Sequence, residues 1–540
     1  MTVGKLKATA WSLAALLGLW ACSDSEETWR QDRVLTGLPV HGLQGLAFGP
    51  DGALYLGSVM SEAVVQLDLA SGEMTEAVGP PLGEADDVAF GPGGTMAWTA
   101  INQGALRLRT ATGGIETVAE GLPFVNPVTF GPDGTLYAAT LFGPDRLWAY
   151  NLTEGSARVV TENIGGLNSF EFGGDGLLYT PLPMRQAIGR IDVATGALEV
   201  ITEDAGDIVG VAWHPDGSLY GVSWSDGRVL QIDTAGGTVR TVATVEPPLD
   251  NLAIGEDGTI YVTRSSDNGV IAVDLTSGAQ TTVVRSDLAA PGGMTWVTRN
   301  GRRQLLVTDI FGYRFFDPAT SAIELLPFDL EKRASSDADV RNGKIALSYV
   351  RRNRALLLDE TSGEMLLTWT EIDAPYGILI EPSGDVITAL HKEGTLVRLS
   401  PDGDAKPETV AAGLEGPVGL AWADDTAVFV VESAAGRISR VTLTTGAREI
   451  IVAGLAQPET VKVMSDGRIA VAEVGARRIL AIRPQTGERT VLADGLAIGG
   501  PISRAPDPVA MPTGLAVDET GAIWVATDAE NGLIKLSLDM

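Results

Sequence analysis

A turn glycine, usually in the setting Pro-Asp-Gly, recurs along this 540-residue chain at a nearly constant interval, and that interval constrains the fold most. The anchors are Gly52, Gly94, Gly134, Gly176, Gly217, Gly258, Gly301, Gly343, Gly384, Gly467 and Gly521, with Asp425 in the place between Gly384 and Gly467. Successive steps are 42, 40, 42, 41, 41, 43, 42, 41, 41, 42 and 54 residues. Such a period marks a repeat architecture, in which each unit buries its apolar face against the next.

Within a unit, apolar residues alternate with period two, as half-buried strands require. The fifth unit, VGVAWHPDGSLYGVSWSDGRVLQIDTAGGTVRTVA, divides into strands A (VGVAW), B (SLYGVSW), C (RVLQID) and D (TVRTVA), separated by HPDG, SDG and TAGG. Four antiparallel strands per unit describe a β-propeller blade. The expected fold is therefore all-β, and helical periodicity is absent from the chain after its first thirty residues. Twelve blades exceed the usual four to eight of one ring, so two consecutive six-bladed propellers are favoured over a five-plus-seven split or a single ring. The last unit ends on a strand C, GLIKLSLDM, while DRVLTGL near the start resembles a strand D. A cut after residue 278 gives rings at 31–278 and 279–540. Each then starts on a strand D that closes its own last blade and removes a free edge.

The formal charge of −30 argues against nucleic acid as a partner, because phosphate binding needs surplus Lys and Arg. The first residues carry Lys5 and Lys7, then an apolar stretch of 13 residues from Ala8 to Trp20, too short for a span of ~20. Leu19-Trp20-Ala21-Cys22 resembles the lipobox of bacterial lipoproteins, with Trp20 unusual inside it. The resemblance implies a signal peptide over 1–21, a lipid on Cys22 and a tether over 22–30, hence an exported envelope lipoprotein. The plainer alternative is a secretory signal with an incidental cysteine. Cys22 is the one cysteine, so an intrachain disulfide is impossible. The mature chain has no expected transmembrane helix.

Strand order decides which parts share a face. If strand A runs from top to bottom, the A–B and C–D turns lie below and the B–C and D–A loops above. The Pro-Asp-Gly segments, Asp133-Gly134 among them, are then bottom hairpins in which glycine supplies a positive φ, and are not calcium loops. The first residue of each strand A lies at the channel mouth. In the first ring these are Gln44, Asp86, Asn126, Asn168, Val209 and Asp250, five of the six bearing oxygen. Oxygen donors converging on one axis are the ligand type calcium takes, and a polar, wet channel is the alternative reading.

The repeats resemble those of the gluconolactonase and senescence-marker-protein family, with kinship to paraoxonases and NHL repeats, over residues 31–540. The resemblance implies Ca2+ at the channel mouth, held by Glu, Asn, Asn and Asp from blades one, three, four and five. Asn126 and Asn168 match that pattern. Gln44 replaces the Glu and Val209 the Asp, leaving a rearranged metal set of Asp86, Asn126, Asn168 and Asp250. By the same resemblance, the metal would polarise an ester or lactone carbonyl while a base activates water. His41, expected on the top face before blade one, is the candidate catalytic base, with Asp86 or Asp250 as alternatives. His214, in a bottom turn, is poorly placed. Streptogramin-lyase propellers are a further relative, without positive support from three scattered histidines.

The second ring starts its A strands with Gly292, Ser336, Tyr376, Val418, Glu459 and Thr513, and loses the calcium pattern. Asp309, Glu432, Glu473 and Asp528 near its B-strand ends, Arg351 to Arg354, and His391-Lys392 make either a mixed-charge recognition mouth or simply solvated loop tips, the commoner case. The Pro-rich insertion AIGGPISRAPDPVAMP is expected to cross its top face. HExxH, P-loop and GxSxG motifs are missing. Two functions remain: a binding scaffold for a small molecule, peptide, glycan or protein at a top face, and a calcium-dependent lactone or ester hydrolase in the first ring.

Overall fold

The computed structural model describes residues 27–500 and 511–539, apart from 144, 325, 327–328, 330 and 403–404. The signal segment, Cys22 and most of the Pro-rich insertion lie outside the described residues.

The described chain forms twelve four-stranded antiparallel sheets, with no helix beyond short 3-10 turns. The turn chemistry sets their spacing. All eleven anchor glycines have φ between 71° and 96°, the left-handed region that an L side chain resists. At the hairpin Gly131–Gly134, Gly134 N donates to Gly131 O at 2.9 Å and Thr135 N to the Asp133 carboxylate at 3.0 Å. Asp133 is thus committed to its own turn.

Blades close into two rings of six through the cores between neighbours. One apolar cluster joins Leu43, Leu54 and Val65 of blade 1 to Ala253, Val270 and Val284 of blade 6. Another joins Met294, Leu305 and Phe316 of blade 7 to Trp524, Ala526 and Leu533 of blade 12. Hydrogen bonds repeat both closures: Thr263 Oγ1 donates to Gln44 O at 2.6 Å, and Trp296 Nε1 to Val517 O at 2.8 Å.

The boundary at 278/279 is corrected by the pairing. Strand Gln280–Val284 stays in its own blade beside Gly269–Val273, and Trp29–Leu35 pairs with Gly532–Leu538 in blade 12. The expected scheme needed two pairings between segments far apart in sequence, whereas this one needs a single such pairing. The Asp274–Gly278 turn, with Gly278 N on Asp274 O at 2.8 Å, holds strands C and D of blade 6 together locally. Local closure carries the smaller loop entropy. The N-terminal strand therefore belongs to the second ring, although Gly37 to Phe48 leads directly into the first.

The rings touch along blades 1 and 6 on one side and blades 7 and 12 on the other. Asn531 Nδ2 donates to Leu38 O and Val40 O, and Met60 packs with Ala289, Ala290 and Ile310.

Candidate functional site

Four of the six mouth residues of the first ring sit in β-bulges, while Asp86 and Asn168 precede their strands. The A–B register skips between Leu43 and Leu46, Val125 and Val128, Ile208 and Gly210, and Leu249 and Leu252. Gln44, Asn126, Val209 and Asp250 occupy those skips, where a bulge turns a side chain away from the sheet. Blades approach closely here: a Cβ on Gly45 would lie 2.6 Å from Asp86 O, so glycine is required.

The structure brings the predicted oxygens together in two groups. With its amide nitrogen toward Asp250, Gln44 donates to both carboxylate oxygens at 2.9 and 3.0 Å. Asp250 also lies within electrostatic reach of Asp86. On the other arc, Asn126 Nδ2 donates to Asn168 Oδ1 at 3.2 Å, and Asn168 Nδ2 to Val209 O at 2.9 Å. Val209 therefore takes part through its carbonyl, which a reading of side chains overlooked. Burial, then the charges of Asp250, Asp87 and Glu84, pushes the Asp86 carboxyl well above its ordinary value. Burial and Asp87 push Asp250 up to about 7. Among the described residues, no three His, Cys, Asp or Glu side chains are grouped to hold a metal ion. Any cation here would rest on two carboxylates and amide oxygens.

Below the mouth, the channel contains a cavity of about 290 Å3 lined by residues of all six A strands. Strand A is the inner edge of each blade, so N–H groups facing the axis lack a ladder partner. Acids of the preceding blade supply acceptors: buried Asp87 to Val128 N (3.1 Å) and half-buried Glu171 to Trp213 N (2.8 Å). Burial raises both carboxyls to about 7, against these hydrogen bonds. In the second ring Asp339 accepts from Ile380 N (2.8 Å) and Glu459 from Thr513 N (2.7 Å). Asp87 follows a mouth residue by one position, Glu171 and Asp339 follow one by three, and Glu459 is itself a mouth residue.

The histidine candidate is placed elsewhere. His41 is buried at the contact between rings, its Nδ1 on Ser61 Oγ at 3.0 Å and its Nε2 on Asp528 O. Burial lowers its pKa below the ordinary value. Both nitrogens are engaged by protein, so the imidazole is not presented to a ligand. His214 lies in its bottom turn, with Nδ1 accepting from Asp216 N.

The second-ring carboxylates are not a recognition surface. Asp309, Glu432, Glu473 and Asp528 are all buried. Each accepts N–H groups from the loop entering strand A of its own blade: Asp309 from Ala289 and Ala290, Glu432 from Glu415, Glu473 from Ala456, Asp528 from Gly499 and Gly500. They are loop staples. Asp145 of blade 3 staples the loop leaving its blade toward blade 4, accepting from Ile164 and Gly165. Of the basic run, Arg354 pairs with Glu331, and His391 lies against Tyr376 with ring centroids 5.3 Å apart.

A feature absent from the sequence reading stands beside the first mouth. Phe124 and Phe142 are 52% and 48% exposed and meet edge to face, with centroids 5.7 Å apart. Phe124 precedes Asn126 by two residues and has φ 57°, a conformation that costs an L residue ~1–2 kcal/mol. Met184, 57% exposed, extends from the B–C loop of the next blade.

Sequence comparison matches residues 124–248, which span blades 3 to 5, to a family described as "Repeat of unknown function (DUF6923)". No curated protein matches the chain. Similar solved structures include an inactive virginiamycin B lyase variant from Staphylococcus aureus with quinupristin. It has 18% identity over 52% of this chain and 96% of that one, with a TM-score of 0.39. A candidate gluconolactonase has 18% identity over 44% and 91% of the two chains, TM-score 0.37. The extracellular domain of a candidate one-component system from B. thetaiotaomicron has 10% identity over 94% and 82%, TM-score 0.34. The propeller assignment rests on the twelve sheets themselves.

Proposed function

We propose that this double propeller is a binding scaffold, tethered to the cell envelope through Cys22, with its ligand surface on the top face of the first ring. The observation that carries this reading is the exposed Phe124–Phe142 pair beside a mouth of amides and carboxylates. Two solvent-exposed phenylalanines on adjoining loops are unfavourable in a surface without a ligand. The left-handed Phe124 adds backbone strain of the kind that clusters at functional sites. An apolar platform flanked by hydrogen-bonding groups suits a peptide or a glycan. Binding of the full chain to glycan and peptide arrays, compared with Phe124→Ala/Phe142→Ala, tests it. The best ligand should weaken at least ~10-fold, since aromatic anchors contribute on the order of 1–2 kcal/mol each. Equal binding by the variant refutes the assignment.

A second reading is favoured by the Asp86–Asp250 pair and the Asn126–Asn168 pair on two arcs of the same mouth. A buried carboxylate at Asp86 and a half-buried one at Asp250, with amide oxygens in the same mouth and no cationic side chain among the described residues bonded to either, form a hard-oxygen donor set that suits calcium. Bound there, calcium would polarise an ester or lactone carbonyl. Asn126 and Asn168 would lend amide oxygens to the ion, and whichever of Asp86 and Asp250 is not a ligand would accept a proton from water. His41 has no part in this version. Calcium should raise the melting temperature, and Asn126→Ala/Asn168→Ala should abolish the rise. No shift at millimolar calcium rejects the metal, and a shift without turnover on a lactone panel rejects catalysis.

A further inference from the structure

We infer that the cleft between the two rings binds a small organic carboxylate with an apolar body, and that Arg314 is its charged anchor. Arg314 lies on the third strand of blade 7, Gly312–Asp317, and is 3% exposed. Its guanidinium donates to two backbone carbonyls: Tyr313 O at 3.3 Å, and Ser266 O of the first ring at 3.1 Å. Its Nε is buried without a partner among the described residues. No carboxylate among the described residues forms an ion pair with it.

This departs from how the chain treats its other buried arginines. Arg264 pairs with Asp267 and Glu246, and Arg468 with Asp466 and Glu27. Arg107 is likewise without an ion pair, but Glu84, Glu120 and Glu62 act on it electrostatically. A guanidinium removed from water needs an anion to satisfy both its charge and its N–H groups.

Space for that anion is present. A cavity of about 540 Å3 opens beside Arg314, lined also by Phe311, Tyr313, Arg299 and Lys332 and by two carboxylates, Asp329 and Glu360, with Ser225 reaching it from the first ring. Small-ligand sites have volumes of ~300–1,000 Å3, commonly between domains. The other two cations are satisfied: Arg299 by Glu324 at 2.8 Å, and Lys332 by Asp329 at 3.4 Å. The unmet demand is thus for one anionic group at Arg314, while Phe311 and Tyr313 offer an apolar wall to the rest of the ligand. A guanidinium fork matches a carboxylate in shape and charge.

Thermal melting of the full chain and of Arg314→Met tests the inference, with phenylacetate, phenyl phosphate, inorganic phosphate and benzylamine as probes. Phenylacetate near ~10 Kd should raise the melting temperature of the parent by about 3 °C, with no rise in the variant and none from benzylamine. Without ligand, Arg314→Met should melt at the same temperature or higher, because it removes a buried charge that lacks a counterion. Inorganic phosphate or phenyl phosphate matching phenylacetate would overturn the assignment to an organic carboxylate. A rise of equal size in Arg314→Met would overturn the site. No rise with any anion, together with a lower melting temperature for the variant, would make Arg314 a structural pin between the rings.

Discussion

The exchange of closing strands can be tested by a crossed pair of substitutions. Leu35, on the N-terminal strand, packs with Leu533 and Trp524 of blade 12. Val284, on the fourth strand of blade 6, packs with Leu43 and Val65 of blade 1. Both are almost fully buried, at 9% and 8% exposure. Leu35→Ala should cost ~2–3 kcal/mol, and Val284→Ala ~1.5–2.5 kcal/mol, from lost transfer energy plus residual cavity. In a ring of this size 1 kcal/mol moves the midpoint by ~2–4 °C, so drops of ~4–12 °C and ~3–10 °C are expected. Hydrogen exchange read by mass spectrometry identifies the weakened ring. Leu35→Ala should deprotect Ile523–Thr527 and Gly532–Leu538 and spare Ile260–Arg264 and Gly269–Val273. Val284→Ala should do the reverse. If Leu35→Ala instead deprotects blade 6, the N-terminal strand closes the first ring and the pairing described above is wrong.

Three further outcomes follow from buried groups and strained backbone. Asp250 and Asp87 have folded pKa values near 7, well above their ordinary 3.8. Between those values the folded state binds more protons than the unfolded state, so metal-free stability should fall as pH rises from about 4 through about 7. Melting curves across that range should flatten in Asp250→Asn, and a slope unchanged by that substitution would contradict the assignment. Glu432 is fully buried and accepts from Arg437 Nη2 at 2.6 Å, Ser439 Oγ and Glu415 N. Glu432→Gln should cost ~2–4 kcal/mol in denaturant unfolding, because it leaves buried donors and Arg437 short of an acceptor. Phe124→Gly should stabilise the fold by up to ~1 kcal/mol while weakening ligand binding, since glycine accepts φ 57° without strain. A destabilised Phe124→Gly would show that the ring supports the loop.

The repeat made the blades legible. An Asp-Gly turn every 42 residues and strict alternation between turns need only local physics, and every anchor glycine has the positive φ its hairpin requires. The converging mouth was legible for the same reason: Asn126 and Asn168 occupy equivalent places in neighbouring blades, and their side chains meet. The partner of the closing strand was not. DRVLTGL and AQTTVVRSDL are both amphipathic edge strands, and local pattern does not distinguish which distant edge each will cover. Long-range pairing and loop entropy decide that. Burial separated the acids into kinds: Asp133 serves its turn, Asp87 and Glu171 serve bare inner-edge N–H groups, and Asp309 and Glu432 staple loops. In sequence all are simply Asp or Glu near a strand end. What the sequence determined alone is therefore the blade, its length and its turns. Ring closure, the withdrawal of His41 into the contact between rings, the exposure of Phe124 and the unpaired charge of Arg314 come from the tertiary structure, because each depends on which distant surfaces exclude water.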